Sequence, residues 1–152
     1  KSYHSACDCI KPASCGILTT MEDSVFTKII RRELSAEILY EDDTAIVILD
    51  RFPTVVGQTL VITKQQVPYV FDLDAETYTH LMNISKKVAQ ALDRAYSPLR
   101  TCVVIEGFDV PHVHVRLYPV TKAPLTLTQG DFASDEALQI EGDRIREHLK
   151  LI

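Results

Sequence analysis

Residues 111–120, PHVHVRLYPV, alternate polar and apolar side chains in a way that suits an extended strand and little else. Successive side chains of a strand point to opposite faces. His112, His114 and Arg116 therefore share one face, while Val113, Val115 and Leu117 point to the other. Three polar donors at steps of roughly 6.6 Å should line one wall of the molecule.

The other elements agree with a sheet. Ser24 can cap a short helix whose Phe26, Ile29 and Ile30 face inward and which ends near the basic pair Arg31 and Arg32. Ala36 to Tyr40 and Ala45 to Asp50 read as a hairpin about the turn Glu41-Asp42-Asp43. Phe52-Pro53 interrupts the pattern, and Gly57 leads into a third strand, Gln58 to Thr63, with Leu60 and Ile62 on one face and Val61 on the other. Asp74 caps a long helix to about Tyr96, whose apolar residues recur at three- and four-residue steps until Ser97-Pro98 stops it. Strands from Arg100 to Glu106 and Pro111 to Pro119, joined near Gly107, form a second antiparallel pair, and Ser134 starts a last helix with Gly142 inside it. The expected fold class is α+β: a five-stranded antiparallel sheet with a short N-terminal helix, a long central helix and a C-terminal helix.

A chain of 152 residues, 46% hydrophobic, fills one sizeable core rather than two. Its net charge of -5 argues against a nucleic-acid partner, which needs a concentrated basic face. No run reaches the roughly 18 to 20 apolar residues of a membrane span, so no membrane partner is expected. Cys7, Cys9 and Cys15 crowd the beginning while Cys102 lies alone, which implies no disulfide framework and fits a reducing cytoplasm. Residues 1–20 carry no sustained period; they read as an irregular extension or an expression remnant before Met21, with residues 21–152 as the domain. The alternative is a small metal knuckle of His4, Cys7, Cys9 and Cys15, although its Cys-x-Cys spacing departs from the usual separation of zinc pairs.

The chemistry concentrates on the histidine face. A phosphate spans only a few ångströms, so one central residue must meet phosphorus while its neighbours hold oxygens or the leaving group; His114 is central. Neutral imidazole is a competent nucleophile, and attack on phosphorus gives a phosphohistidine that water later hydrolyses. Arg116 adds a permanently charged forked donor for phosphoryl oxygens. The plain competing reading is that two histidines on a half-buried strand are hydrogen-bonded packing.

PHVHVRLYP resembles the histidine-triad (HIT) signature His-x-His-x-His-x-x, with its third histidine replaced by Arg116. VFTKIIRRELSAEILYEDD, AIVILDRFP and GQTLVITKQQV are similar, in order and spacing, to that family's opening helix and its second and third strands, so the resemblance spans about residues 21–119. It implies a nucleotide hydrolase or transferase acting at an α-phosphate through a nucleotidyl-His114 intermediate, on phosphoramidates, dinucleoside polyphosphates or nucleotidyl conjugates. His112 matches the supporting first histidine, and Asp50 matches the acidic residue that bonds the ribose hydroxyls. Val25, Phe26, Ile29, Ile48, Leu49 and Leu60 match the apolar pocket around the base. A purine nucleotide, a homodimer and no cofactor are implied.

Departures from the family pattern qualify this. Arg116 stabilises anionic oxygen but cannot act as a general acid. The loop Glu106-Gly107-Phe108-Asp109 is shorter than the family's glycine-rich loop, leaving Asp109 as a substitute acid or a repulsive neighbour. Some members bind zinc through two cysteines flanking the first-helix phenylalanine and a third-strand histidine, where this chain has Ser24, Thr27 and Gln58, so no metal is expected. Asp50 can equally be a turn carboxylate beside Phe52-Pro53. A purine mononucleotide-binding module with little catalysis, and a metal hydrolase using His112 and His114, are the competing functions.

Overall fold

The computed structural model describes residues 22–149; the expectations for residues 1–20 and Met21 lie outside them. Three helices and five strands follow in the order α1 (Val25–Ile30), β1 (Ile38–Glu41), β2 (Ala45–Leu49), β3 (Thr59–Thr63), α2 (Ala75–Tyr96), β4 (Arg100–Glu106), β5 (His114–Val120) and α3 (Asp135–Arg146). The strands form one antiparallel sheet in the order β1-β2-β3-β5-β4. The α+β architecture expected from the sequence is the one observed.

Local chemistry sets the boundaries. Ser24 Oγ accepts from Thr27 N at 3.1 Å, satisfying one of the free amides that begin α1. Asp74 does the same for Thr77 N of α2 at 2.8 Å, and Ser97, left-handed at φ 45°, ends α2 before Pro98. Asp42 Oδ1 accepts from the amides of Thr44 and Ala45, both at 2.8 Å, and so makes the β1–β2 turn. Gly57 sits at φ +80°, and a Cβ there would lie 2.4 Å from the Tyr96 ring, so only glycine brings the chain into β3 beneath the end of α2.

Several strand boundaries differ from expectation by a residue or more, two of them with consequences. β1 runs from Ile38 to Glu41, so Glu41 extends the strand rather than beginning the turn. β5 begins at His114, not at Pro111; the amide of His112 turns back to Val110 O at 2.8 Å, and that of Val113 bonds Val67 O, so this stretch is held outside the ladder. A 3-10 turn at Val70–Asp72, unseen in the sequence pattern, leads into α2.

Alternation along the strands splits the interior in two. Ala45, Val47, Leu49, Val61, Val115 and Leu117 point to α2, where they pack with Leu81, Val88 and Leu92, and α3 closes this side with Leu138 and Ile145. Ile46, Ile48, Leu60 and Ile62 point the other way and meet only Phe26 and Ile29 of α1 as buried apolar partners. The histidine face of β5 lies on this second, thinly covered side.

Candidate functional site

His112 and His114 are the most deeply buried polar residues of the α1 side, 0% and 1% exposed. Of the three expected donors, Arg116 lines the two cavities described below, while both histidines are enclosed. His112 precedes β5 and turns into the protein, where its ring has a complete set of partners.

Those partners assign the protons. His112 Nε2 lies 2.6 Å from Thr63 O, and a carbonyl oxygen only accepts, so Nε2 carries the hydrogen. Burial, the largest influence on His112, pushes its pKa below 6.5 and keeps the ring neutral. Nδ1 is therefore an acceptor and takes the hydroxyl hydrogen of Ser24 at 2.7 Å. Both nitrogens are thus committed, which removes His112 as a metal ligand and with it the paired-histidine metal site.

His114 Nδ1 lies 2.7 Å from His112 O, so by the same reasoning Nδ1 carries the hydrogen and Nε2 keeps its lone pair. Burial again lowers the pKa below 6.5; the His112 carbonyl opposes this, Arg116 adds to it, and Glu106 and Asp50 oppose it. His114 Nε2 and Arg116 Nε are the two buried side-chain polar atoms without a partner among the described residues. Phe26 covers His114 with ring centroids 4.9 Å apart and meets His112 edge-on at 5.7 Å.

The polar support beneath His112 reaches into α1 and the segment after β3. Thr27 Oγ1 donates to Gln66 Oε1 at 2.6 Å, Ser24 N donates to the same oxygen at 3.0 Å, and Gln66 Nε2 donates to Glu22 O at 3.0 Å. The partner of Ser24 and Thr27 is therefore Gln66, three residues past β3, and not Gln58. Gln58 immediately precedes the strand at its other end, where its Nε2 donates to Asp50 Oδ2 at 2.6 Å and its Oε1 accepts from Thr54 N at 2.6 Å.

A cavity of about 250 Å³ brings together Val25, Phe26, Ile29, Ile48, Leu49, Leu60 and Asp50, with Arg116 at its end. Leu49 belongs there only at its border, because alternation along β2 buries its side chain with the α2 cluster. Asp50 Oδ1 accepts from Phe52 N at 2.9 Å, a turn bond two residues on, so its turn role is real. Each of its oxygens has one partner, so lone pairs remain to accept further hydrogen bonds, and Asp50 lines the cavity. A second cavity, of about 620 Å³, adjoins the first through Asp50, Phe52, Val110 and Arg116 and reaches out to Asp109.

Glu106 is a site residue that the sequence reading passed over. It pairs directly across the ladder with His114, and its Oε1 accepts from Arg116 Nη1 at 2.6 Å. The signal was present: with the β4–β5 turn placed between residues 106 and 114, Glu106 falls opposite the first histidine of β5 and on its face.

Residues 31–122 match the HIT domain family. An uncharacterized HIT-like protein of Borreliella burgdorferi is 33% identical over 106 residues, spanning 65% of this chain and 76% of the relative. The purine nucleoside phosphoramidase of Escherichia coli is 29% identical over 102 residues, spanning 63% of this chain and 86% of the enzyme. Among solved structures, a HIT-like protein of Bartonella henselae superposes with a TM-score of 0.76 at 27% identity, covering 84% of this chain and 96% of that one.

Proposed function

Because the chain belongs to the HIT domain family, we propose that it is a nucleotide hydrolase or transferase that works at the α-phosphate through His114. The observation that carries this reading is the tautomer of His114: Nδ1–H is tied to a backbone carbonyl, and Nε2 is a buried lone pair with no partner, two residues from a guanidinium. A neutral, desolvated imidazole nitrogen aimed away from its own backbone is what nucleophilic attack on phosphorus requires.

In this reading the base lies between α1 and β2–β3, and Asp50 accepts from the ribose hydroxyls. His112 supports the site through its carbonyl oxygen, and Arg116, at the position of the family's third histidine, holds phosphoryl oxygen. His114 Nε2 forms a bond to phosphorus as the bond to the leaving group breaks, and the leaving group departs with the electron pair. Water then attacks the phosphohistidine, yielding the mononucleotide and a proton and returning His114 to its neutral form. Arg116 stabilises charge but supplies no proton, so groups that depart as stable anions, or take their proton from water, suit the site.

One observation favours the second reading, a purine mononucleotide-binding module with little turnover: His114 is 1% exposed and borders neither cavity. A fluorogenic adenosine phosphoramidate, diadenosine polyphosphate and adenosine monophosphate separate the two. The enzyme reading expects consumption of at least one of the first two by the wild type and none above background by His114→Ala. If neither is consumed while adenosine monophosphate raises the melting temperature, the binding module stands instead.

We propose further that two copies pair through α2 and β4. β4 is an open sheet edge carrying the half-exposed Val103, with Leu99 exposed just before it. Light scattering at twice the chain mass supports this, and the mass of one chain contradicts it. Among the described residues no helix is long and apolar enough to cross a membrane.

A further inference from the structure

The second cavity bears on which leaving groups the site accepts. Its charged lining consists of Asp50, Glu106 and Asp109 against the single cation Arg116. That cation is already half claimed. Glu106, 29% exposed, holds Arg116 Nη1 with one carboxylate oxygen, while Nε of the same guanidinium is buried and unpartnered. The fork can therefore serve two partners: Nε is left to donate to a phosphate oxygen while Nη1 stays on Glu106. Asp109 enters no ion pair among the described residues.

The far wall is fixed in place. Thr54 donates to Thr128 O, Gly130 N to Phe52 O at 3.2 Å and Ala133 N to Arg51 O at 2.9 Å, and Phe132 packs edge-on against Phe52 at 5.7 Å. The cavity thus has a fixed wall at residues 127–129, has Asp109 in its lining and adjoins the first cavity. Arg116 lines both cavities and carries one of the orphan nitrogens, so with the nucleoside in the first cavity and its phosphate at Arg116, whatever is attached to that phosphate on the far side lies in the second.

From this we infer that Glu106 and Asp109 make the second cavity a charge filter, favouring leaving groups that bear an ammonium beyond the scissile bond and disfavouring polyphosphate chains. The inference rests on the nucleotide-site reading above. A polyphosphate brings several negative charges among three carboxylates whose only counter-charge is shared, whereas an ammonium-tipped arm meets the unused oxygen of Glu106 and the free carboxylate of Asp109. At a partly desolvated site, exchanging a like charge for an opposite one is worth about tenfold or more in affinity.

The test is equilibrium binding to the His114→Ala protein, which removes turnover from the measurement. The probes are adenosine monophosphate and two adenosine 5′-phosphoramidates with arms of equal length, one ending in an ammonium and the other in a carboxylate. The ammonium arm is expected to bind about tenfold tighter than the carboxylate arm, and the ratio should fall several-fold when either Glu106→Gln or Asp109→Asn is added. Asp109 is an exposed loop residue, so its substitution leaves the fold intact even where the Glu106 change perturbs β4. Added salt should shrink the ratio. If adenosine monophosphate binds but the two arms bind alike, or the ratio ignores both substitutions, the filter is wrong and the nucleotide site survives. If adenosine monophosphate does not bind, the nucleotide site itself fails and the filter falls with it.

Discussion

The α2 face of the sheet and the α1 face draw alternate residues from the same strands, yet they are furnished differently. Toward α2 the strands present a mostly apolar surface, with the buried Thr59 and Thr63 beside Val61, that two helices cover. Toward α1 a six-residue helix covers a small apolar cluster, and beyond it lie two buried histidines, an ion pair and two cavities. One face supplies the stability that lets the other carry buried, incompletely paired polar atoms, which cost free energy wherever they occur.

Substitutions on the two faces should therefore fail in different ways. The largest effect is expected at His114, where alanine should lower turnover about 10³-fold or more, as loss of a nucleophile does, with the melting temperature little changed. Loss of folding instead of turnover would put His114 in the structural class. Leu81→Ala, on the buried face of α2, should cost about 2–5 kcal/mol in denaturant titrations. The folded fraction should keep its kcat/KM. A drop in kcat/KM at full folding would join the two faces that the account separates.

Ser24 straddles the divide, because one hydroxyl caps α1 and holds His112. Ser24→Ala should cost about 1 kcal/mol of stability, as lost N-caps do. It should also lower kcat about tenfold, equivalent to about 1.4 kcal/mol, while KM stays near its original value. Ser24→Thr, which retains cap and hydroxyl, should recover most of both. A pure stability loss with unchanged kcat would confine Ser24 to capping.

The smallest expected effect is on pH dependence. Both histidines are held below 6.5 by burial, so the unfolded chain takes up more protons than the folded one. Their contribution to stability is fully present above 6.5 and is lost as the pH falls from 6.5 through the lowered folded values. Urea midpoints should therefore drop between about pH 7.5 and about pH 5, with a weaker drop in His114→Ala. kcat/KM should hold its plateau below 6.5, with the acid limb falling under that value. A limb centred above 6.5 would contradict a neutral, buried nucleophile.

The parts of this arrangement legible in the sequence are those set by local period. Alternation in VHVRL put His114 and Arg116 on one face, and the three- and four-residue steps of residues 74–96 announced α2. Val25, Phe26, Ile29, Ile48 and Leu60 line one cavity because α1, β2 and β3 turn these positions to the same side of the sheet, whereas Leu49 packs toward α2. What stayed hidden depends on contacts distant in sequence. Ser24 and His112 are 88 residues apart, and Gln66 reaches Ser24 only because the chain turns back after β3. Residues 127–129 show no period, yet they wall the second cavity, held there by the bonds of Thr128, Gly130 and Ala133 to residues 51–54. Glu106 looked like the start of a loop, and only the β4–β5 register reveals it opposite His114.

The central claim is that His114 Nε2 becomes covalently attached to a nucleotide. Mixing the wild-type protein with a fluorogenic adenosine phosphoramidate, quenching within the first turnover and weighing the intact protein tests it most directly. The account predicts a fraction heavier by one adenylyl group, located on the peptide containing His114 and absent from His114→Ala. Substrate consumption without any such adduct, or an adduct that survives in His114→Ala, would contradict it.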